Sequence, residues 1–174
     1  MRSPLRRRLI GGLALALAML ALGLALPLTH ASPEQAVRMP TPAGPARRDP
    51  AAEQALLRLA NDARAELGLR PLAPSPLLAA YALEHSMMMA RLGLIGHAVG
   101  ARSFQDRTAG WAVPPGTAVA EVIAVADTPE HAMQALLASP EHRAILLDRE
   151  FRSIGWGAVD TAWGIVATGD LEDR

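Results

Sequence analysis

The architecture of this chain depends most on one segment, Val119-Ala120-Glu121-Val122-Ile123-Ala124-Val125. Its β-branched residues favour a strand, and we predict one from Ala118 to Ala126. Glu121 interrupts this apolar run. A carboxylate that is buried without a partner costs several kcal/mol, so we expect Glu121 to face a cation, an imidazolium or a metal ion.

Two histidines in apolar surroundings are candidate partners for this carboxylate. His97 follows the predicted end of a helix, which glycines mark in Gly93-Leu94-Ile95-Gly96-His97. His142 lies in the first turn of a helix that begins in Ser139-Pro140-Glu141-His142-Arg143. Ser139 precedes Pro140 as a helix N-cap, which uses its oxygen on backbone N–H groups rather than as a nucleophile. We therefore predict a polar triangle of His97, Glu121 and His142.

Two more strands are predicted downstream, from Ser153 to Val159 and from Trp163 to Thr168. Asp160-Thr161 between them is typical of a hairpin turn, so we expect the two strands to pair antiparallel.

Helices are predicted before and between these strands. Residues 51–67 place apolar side chains on one arc, and Ser75-Pro76 is an N-cap followed by proline at the first helical position. The second helix has an apolar stripe in which His85 is interpreted as a core histidine with one hydrogen bond; the stripe comprises Leu78, Tyr81, His85, Met88 and Leu92. Three shorter helices are expected at residues 103–107, after Thr128-Pro129 and after Ser139-Pro140. Helices on both sides of a small antiparallel sheet indicate an α+β fold.

The N-terminal region is interpreted as an export segment and a linker. Four arginines precede an uncharged apolar run, residues 9–28, and Thr29-His30-Ala31 suits signal peptidase, so we expect cleavage after Ala31. A run of this length can also span a bilayer, which leaves an uncleaved anchor as the alternative. Residues 32–50 are rich in proline and alanine, as is typical of an extended tether. We assign residues 1–31 to the signal peptide or anchor, 32–50 to the linker and 51–174 to the folded domain.

Charge and composition exclude several classes of function. Without residues 1–31 the chain has 13 basic residues against 17 acidic ones, a net charge of −4, which argues against a nucleic-acid partner. The chain has no cysteine, which excludes a thiol nucleophile and thiolate metal ligands.

The order of these motifs resembles a known family, the CAP domain of the sperm-coating-protein-like superfamily, in its cysteine-poor bacterial branch. The resemblance covers about Glu53 to Gly169 and rests on six blocks in the family's order and approximate spacing; they are residues 56–68, 77–90, 96–107, 120–124, 139–143 and 151–157. It implies a three-layer α-β-α sandwich with a cleft lined by histidines and acidic residues, which holds a divalent cation in some relatives. By motif position, His97 is similar to the first histidine, Glu121 to the strand glutamate and His142 to the second histidine.

This sequence departs from the family pattern in three places. The usual Gly-Glu-Asn is Ala120-Glu121-Val122, the tryptophan expected before the Ser-Pro-Glu-His block is Leu136, and Ser139 replaces the second acidic residue of the cleft. These changes weaken the transfer of a relative's activity to this chain.

Two imidazoles and one carboxylate are suitable ligands for Zn²⁺, so we predict His97, Glu121 and His142 as metal ligands in a cleft that includes Ser139. A network in which Glu121 accepts hydrogen bonds from the histidines, with no metal, is the alternative.

The favoured function is a non-enzymatic binding or envelope-associated module, secreted, periplasmic or anchored by residues 9–28. A metal-dependent hydrolase using the same cleft, with Glu121 as ligand or general base, is a second hypothesis. Lipid binding, which the resemblance also implies, is a third, and the envelope partner is not identified.

Overall fold

A computed structural model describes residues 36–39, 45–100 and 102–174. All of them lie in one structural unit, residues 31–174. Within the described ranges no helix is long and apolar enough to cross a membrane. The predicted signal peptide or anchor, residues 1–31, lies outside the described residues.

Five helices occur in the described part of the chain. They are α1 (Pro50–Glu66), α2 (Pro76–Leu92), α3 (Phe104–Thr108), α4 (Pro129–Ala138) and α5 (Pro140–Leu146). The predicted caps are present: Ser75, Thr128 and Ser139 are N-caps, each accepting a hydrogen bond from a backbone N–H in the first turn of α2, α4 and α5, respectively. Proline occupies the first helical position after each of them, where its missing N–H costs nothing.

Seven strands among the described residues form two sheets. They are β1 (Val37–Arg38), β2 (Arg47–Arg48), β3 (Ala73–Pro74), β4 (Leu94–Ile95), β5 (Val119–Ala126), β6 (Ser153–Thr161) and β7 (Gly164–Glu172). The larger sheet has the order β2-β6-β7-β5 and is antiparallel, except that the short β3 pairs parallel with β6. The smaller sheet pairs β1 with β4. Strand β5, which carries Glu121, therefore lies at an edge of the larger sheet.

Helices cover both faces of the larger sheet, which gives the predicted α-β-α sandwich. One face packs on α1, α4 and α5 through a large apolar cluster that includes Leu56, Leu136 and Trp156. The opposite face packs on α2, with a smaller apolar cluster around Met89, Val159 and Val166. Alternate residues of each strand point to opposite faces, so Glu121 lies on the α2 side and its neighbour Val122 lies in the large cluster.

The face of helix α2 that packs on the sheet overlaps the predicted apolar stripe only in part. Leu78 and His85 of the stripe are buried as expected, but Leu92 is 47% exposed, and the other buried residues of α2 are Ala82, Ser86, Met89 and Ala90. The reason lies in β6, where a Cβ atom at Gly155 or Gly157 would overlap the backbone of α2. Glycines on the strand and small residues on the helix let the two backbones touch, and hydropathy alone does not reveal such a face.

Two other predictions need correction. The hairpin turn lies at residues 162–163 instead of Asp160-Thr161, because both of those residues still pair with β7. Strand β7 also runs to Glu172, past the predicted end at Thr168.

Within residues 32–50, β1 pairs with β4 and β2 pairs with β6, so these parts of the expected tether are hydrogen-bonded to the domain.

Candidate functional site

Glu121 is at the centre of the site and is almost completely buried. Its side chain is 1% exposed. Both carboxylate oxygens accept hydrogen bonds from Nη2 of Arg107, Oε1 at 2.8 Å and Oε2 at 2.7 Å. A charge-assisted contact of this kind compensates a buried carboxylate for much of the hydration it loses. The cation expected opposite Glu121 is therefore an arginine.

Local sequence fixes the helix that carries Arg107. Ser103 and Asp106 form a capping box, in which the Ser103 hydroxyl accepts from the Asp106 N–H and the Asp106 carboxylate accepts from the Ser103 N–H. This holds the single turn of α3 in place. The Arg107 side chain is 8% exposed, and Nη2 also donates to the carbonyl oxygen of His97 at 3.2 Å. Arg107 thus connects Glu121 to the segment that carries His97.

His97 is held by Glu121 through one ring nitrogen. Its Nδ1–H donates to Glu121 Oε1 at 2.8 Å, which places a proton on Nδ1 and turns the opposite ring edge, with Nε2, away from the carboxylate. The side chain is 27% exposed, so this residue connects the buried carboxylate to the surface. The ring of His142 lies 6.3 Å from the ring of His97, between centroids. The two predicted histidines therefore lie close together, beside Glu121.

His85 is a buried neutral histidine behind Glu121. Its side chain is 1% exposed, its Nε2–H donates to the carbonyl oxygen of Gly96 at 3.0 Å, and Nε2 lies 3.9 Å from Glu121 Oε2. Burial lowers the pKa of His85, and this effect exceeds the opposing attraction of Glu121. The interpretation of His85 as a core histidine with one hydrogen bond agrees with this geometry.

Asp170 is a second buried carboxyl group that sequence reasoning missed. It is fully buried and lies directly across from Glu121 in the β5–β7 ladder. Burial raises the pKa of Asp170 well above its ordinary value, the negative charge of Glu121 raises it further, and Arg107 offsets part of the rise. In the part of the chain that the structure describes, Glu121 is the only group beside Asp170 with which its carboxyl group can share a proton. We infer that Asp170 carries a proton beside the ionised Glu121.

The ionised state of Glu121 follows from its neighbours. Burial alone would raise the pKa of Glu121, but the hydrogen bond from His97 and the positive charge of Arg107 bring it below the ordinary value. Two carboxyl groups beside one arginine favour one shared negative charge. The buried groups are therefore one anion, Glu121, one cation, Arg107, and one neutral acid, Asp170.

The four predicted cleft residues divide into three roles. His97 and Glu121 are in direct contact, His142 lies beside His97, and Ser139 is the N-cap of α5, its Oγ 3.5 Å from the N–H of His142. Among the residues with described positions, no group of three or more acidic or histidine side chains is arranged to hold a metal ion. Sequence reasoning missed the functional contacts of Arg107 and Asp170. The need of Glu121 for a partner was a signal that could have pointed to Arg107. Asp170 gave no such signal, because the predicted strand ended at Thr168 and β7 continues past it.

The comparisons with known proteins agree with this fold. The sequence model of the cysteine-rich secretory protein family, CAP, matches residues 57–168. A search of curated proteins by sequence finds no match. Among solved structures, an extracellular protein with an SCP domain from Bacillus anthracis is 26% identical with a TM-score of 0.63, and the match covers 70% of this chain and 40% of that protein.

Two further bacterial structures share the fold at lower identity. An outer surface protein of Borrelia burgdorferi is 19% identical with a TM-score of 0.62, and the match covers 72% of this chain and 96% of that protein. A cysteine-rich secretory protein of Staphylococcus aureus is 15% identical with a TM-score of 0.61, over 72% of this chain and 39% of that protein. The matched region is well over half of the chain, and the α-β-α architecture is the same. This chain therefore belongs to the cysteine-rich secretory protein (CAP) family, although it contains no cysteine.

Proposed function

We propose that this protein is an exported, non-enzymatic binding module whose cleft holds a divalent cation between His97 and His142. The observation that carries the proposal is the hydrogen bond from His97 Nδ1–H to the buried Glu121. A carboxylate in this position fixes the orientation and tautomer of an imidazole and raises its basicity, as second-shell carboxylates do at metal sites.

The separation of the two rings is close to what one shared ion requires. An imidazole nitrogen lies about 2.0–2.1 Å from Zn²⁺, so two imidazoles at the tetrahedral angle have ring centroids about 5 Å apart. The rings of His97 and His142 are 6.3 Å apart, so they must approach each other by roughly 1 Å to bind one ion. Water or a bound ligand would supply the remaining donors, as is usual at open zinc sites.

Glu121 acts in this proposal as the support of His97 rather than as a ligand. Arg107 already contacts both of its oxygens, and only 1% of the side chain is exposed. The same facts argue against the hydrolase hypothesis, because a general base must reach its substrate or a water molecule and accept a proton. The lowered pKa of Glu121 makes it a weaker base still.

Export is supported by the sequence and by the solved relatives. The apolar run of residues 9–28 after four arginines is typical of an export segment. The Bacillus anthracis relative is described as extracellular and the Borrelia burgdorferi relative as an outer surface protein. This chain spans only 40% of the length of the Bacillus anthracis protein, so we propose no more than a shared extracytoplasmic location.

Calorimetric titration of Zn²⁺ into the tag-free protein tests the cleft. We expect one site that weakens by at least about tenfold in His142→Ala, because one of two protein ligands is lost. The chain offers a matched control. His131 has the same place in α4 that His142 has in α5, two residues after the proline at the first helical position, and it is exposed. His131→Ala should bind Zn²⁺ as the wild type does.

The outcome is unambiguous if both variants stay folded by circular dichroism. Equal weakening in His131→Ala and His142→Ala would mean that Zn²⁺ binds surface histidines without selectivity. No heat of binding in the wild-type protein would remove the cation from the proposal and leave the histidines as part of a structural network.

A further inference from the structure

The outer edge of β6, the edge that faces away from β7, has a gap between two short partner strands. β2 pairs with β6 at Val159 and Asp160, and β3 pairs with it at Ser153 and Ile154. Among the described strands, none pairs with residues 155–157 on this edge. Buried backbone N–H and C=O groups nearly always have partners, so the gap requires an explanation.

The hydrogen bonds on either side show which backbone groups face the gap. The carbonyl oxygen of Ile154 accepts from the Ser75 N–H at 2.9 Å. That of Ala158 accepts from the Asp49 N–H at 2.9 Å. Alternate residues of a strand direct their N–H and C=O to the same edge, so Trp156, midway between these two, also points its groups outwards. In the described part of the chain neither group of Trp156 has a hydrogen-bond partner.

A pocket of about 170 Å³ lies at this gap, between α1 and the start of α2. Trp156 and Gly155 line it, and most of its other walls are apolar; they include Leu57, Pro74, Pro76, Ala79 and Ile154. Trp156 is 3% exposed, so its N–H and C=O have lost most of the water that would otherwise bond to them. Neither His97 nor His142 is among the described lining residues, and the pocket is therefore separate from the proposed cation site.

The polar lining residues favour a ligand without charge. Glu53 is the one ionisable side chain among the described residues of the lining. Its carboxylate accepts from the guanidinium of Arg48 at 2.9 and 2.7 Å and from the Ala158 N–H at 3.4 Å. The Ser75 hydroxyl is used as the N-cap of α2, and Gln54 is exposed and uncharged. A carboxylate ligand would be repelled by Glu53, whereas a cation would find that charge already neutralised by Arg48.

We propose that this pocket binds one extended residue of a peptide, whose N–H donates to the Trp156 carbonyl oxygen and whose C=O accepts from the Trp156 N–H. Such an exchange of two bonds joins a hydrogen-bonded pair of residues in an antiparallel sheet, and main-chain bonds of this kind give strand addition its affinity. Only one residue pairs, because Ile154 and Ala158 on either side already have partners.

The volume of the pocket limits the side chain of the bound residue. A cavity of about 150 Å³ is enough to hold a benzene molecule, and this pocket is slightly larger. Its apolar walls suit a small aliphatic side chain such as that of alanine. The ligand class is therefore an uncharged peptide segment with a small apolar residue at the position that pairs with Trp156.

Two matched ligands test the hydrogen bonds by NMR titration of the tag-free protein. They are N-acetylalanine methylamide and its ester analogue, in which an oxygen atom replaces the alanine N–H. We expect the amide to bind about tenfold more tightly, because the ester leaves the Trp156 carbonyl oxygen without a donor. The bound amide should also slow hydrogen exchange of the Trp156 N–H. Exchange at Gly155 and Gly157, whose N–H groups face β7, should not change.

Two adjacent alanines on α2 provide matched variants. Ala79 lines the pocket and Ala80 does not. Ala79→Leu should fill the space and abolish binding of the amide, whereas Ala80→Leu should leave it intact. Equal affinity for the amide and the ester, or no effect of the amide on the Trp156 N–H at millimolar concentration, would overturn the proposal and leave a pocket that holds water only. Binding that survives Ala79→Leu in a folded variant would overturn the location.

Discussion

The two faces of the larger sheet are built on different principles. Towards α1, α4 and α5 the strands present apolar side chains that interlock with helix side chains, such as Val122, Ile154 and Leu171. Towards α2, part of the same strands presents Glu121, Asp170 and two glycines. The first face is held by apolar burial, which tolerates changes that conserve volume. The second depends on backbone contact and on a balanced set of charges.

This difference shows where the fold can support a site. In register across β6, β7 and β5, the row Gly155, Asp170 and Glu121 runs from a glycine under the backbone of α2 to the edge strand. A row without apolar side chains contributes less hydrophobic stabilisation. In this fold Arg107 and His85 pack around the row. The cleft histidines lie where this polar row reaches the edge of the sheet.

The largest expected effect comes from removing Arg107, the cation on the α2 side of the sheet, which we call the polar face. Arg107→Met should lower the free energy of unfolding by about 3–5 kcal/mol, because it leaves Glu121 buried without its main partner. Urea unfolding would measure this. Arg91→Met, at an exposed position on α2, is the control and should change stability by less than about 0.5 kcal/mol.

A double variant tests whether the loss comes from the buried charge of Glu121. Arg107→Met with Glu121→Leu replaces the buried ion pair by apolar side chains and should recover much of the loss, since such replacements are often neutral. If Arg107→Met alone costs less than about 1 kcal/mol, the polar face is not held by this ion pair, and the comparison of the two faces fails.

A somewhat smaller loss is expected where the backbones of α2 and β6 meet. Gly157→Ala should reduce the free energy of unfolding by about 3 kcal/mol, because the added Cβ would overlap the backbone nitrogen of Leu83, which no side-chain rotation can relieve. Gly110→Ala is the control, since its Cβ would meet no atom closer than 3.6 Å. Thermal unfolding of both proteins checks this. Similar melting temperatures would show that α2 can move away from the sheet at little cost.

Much of the fold was predictable because it rests on local patterns. The caps Ser75, Thr128 and Ser139 and the apolar run of β5 are short-range signals, and from them the helix starts and the strand that carries Glu121 were predicted correctly. The buried face of α2 was predicted only in part: Leu78 and His85 are buried as expected, but the close contact with β6 depends on glycines some 70 residues away. The end of β7 was also misplaced, and with it Asp170.

The site was predictable only in part, for the same reason. Glu121 and His97 stood out because a polar residue in an apolar run needs a partner, and the structure brings them into contact. Which partner neutralises Glu121 depends on the placement of a one-turn helix, and the sequence alone left a cation, an imidazolium and a metal ion open without singling out Arg107. The metal ligands remain a prediction that only binding experiments test.

The smallest effect is a change in how stability depends on pH, and it concerns Asp170. Because the native pKa of Asp170 is raised, the folded protein keeps a proton that the unfolded chain releases above its ordinary pKa of 3.8. This group therefore lowers stability as the pH rises towards the native pKa. Asp170→Asn cannot titrate and keeps a similar shape. Its stability should increase relative to the wild type with rising pH, by at most about 1.4 kcal/mol per pH unit.

The neighbours of Asp170 act in the opposite direction, which makes the shape of the profile informative. The native pKa of Glu121 is lowered, so its contribution is lost as the pH falls through that value, and the lowered pKa of His85 destabilises the fold as the pH falls below 6.5. In the wild type the Asp170 proton opposes both slopes. Urea unfolding between about pH 5 and 8 should thus give a steeper rise for Asp170→Asn than for the wild type. The exposed Asp160→Asn in β6 should follow the wild-type curve, and parallel curves for all three proteins would mean that Asp170 is ionised and that the polar face contains a second anion.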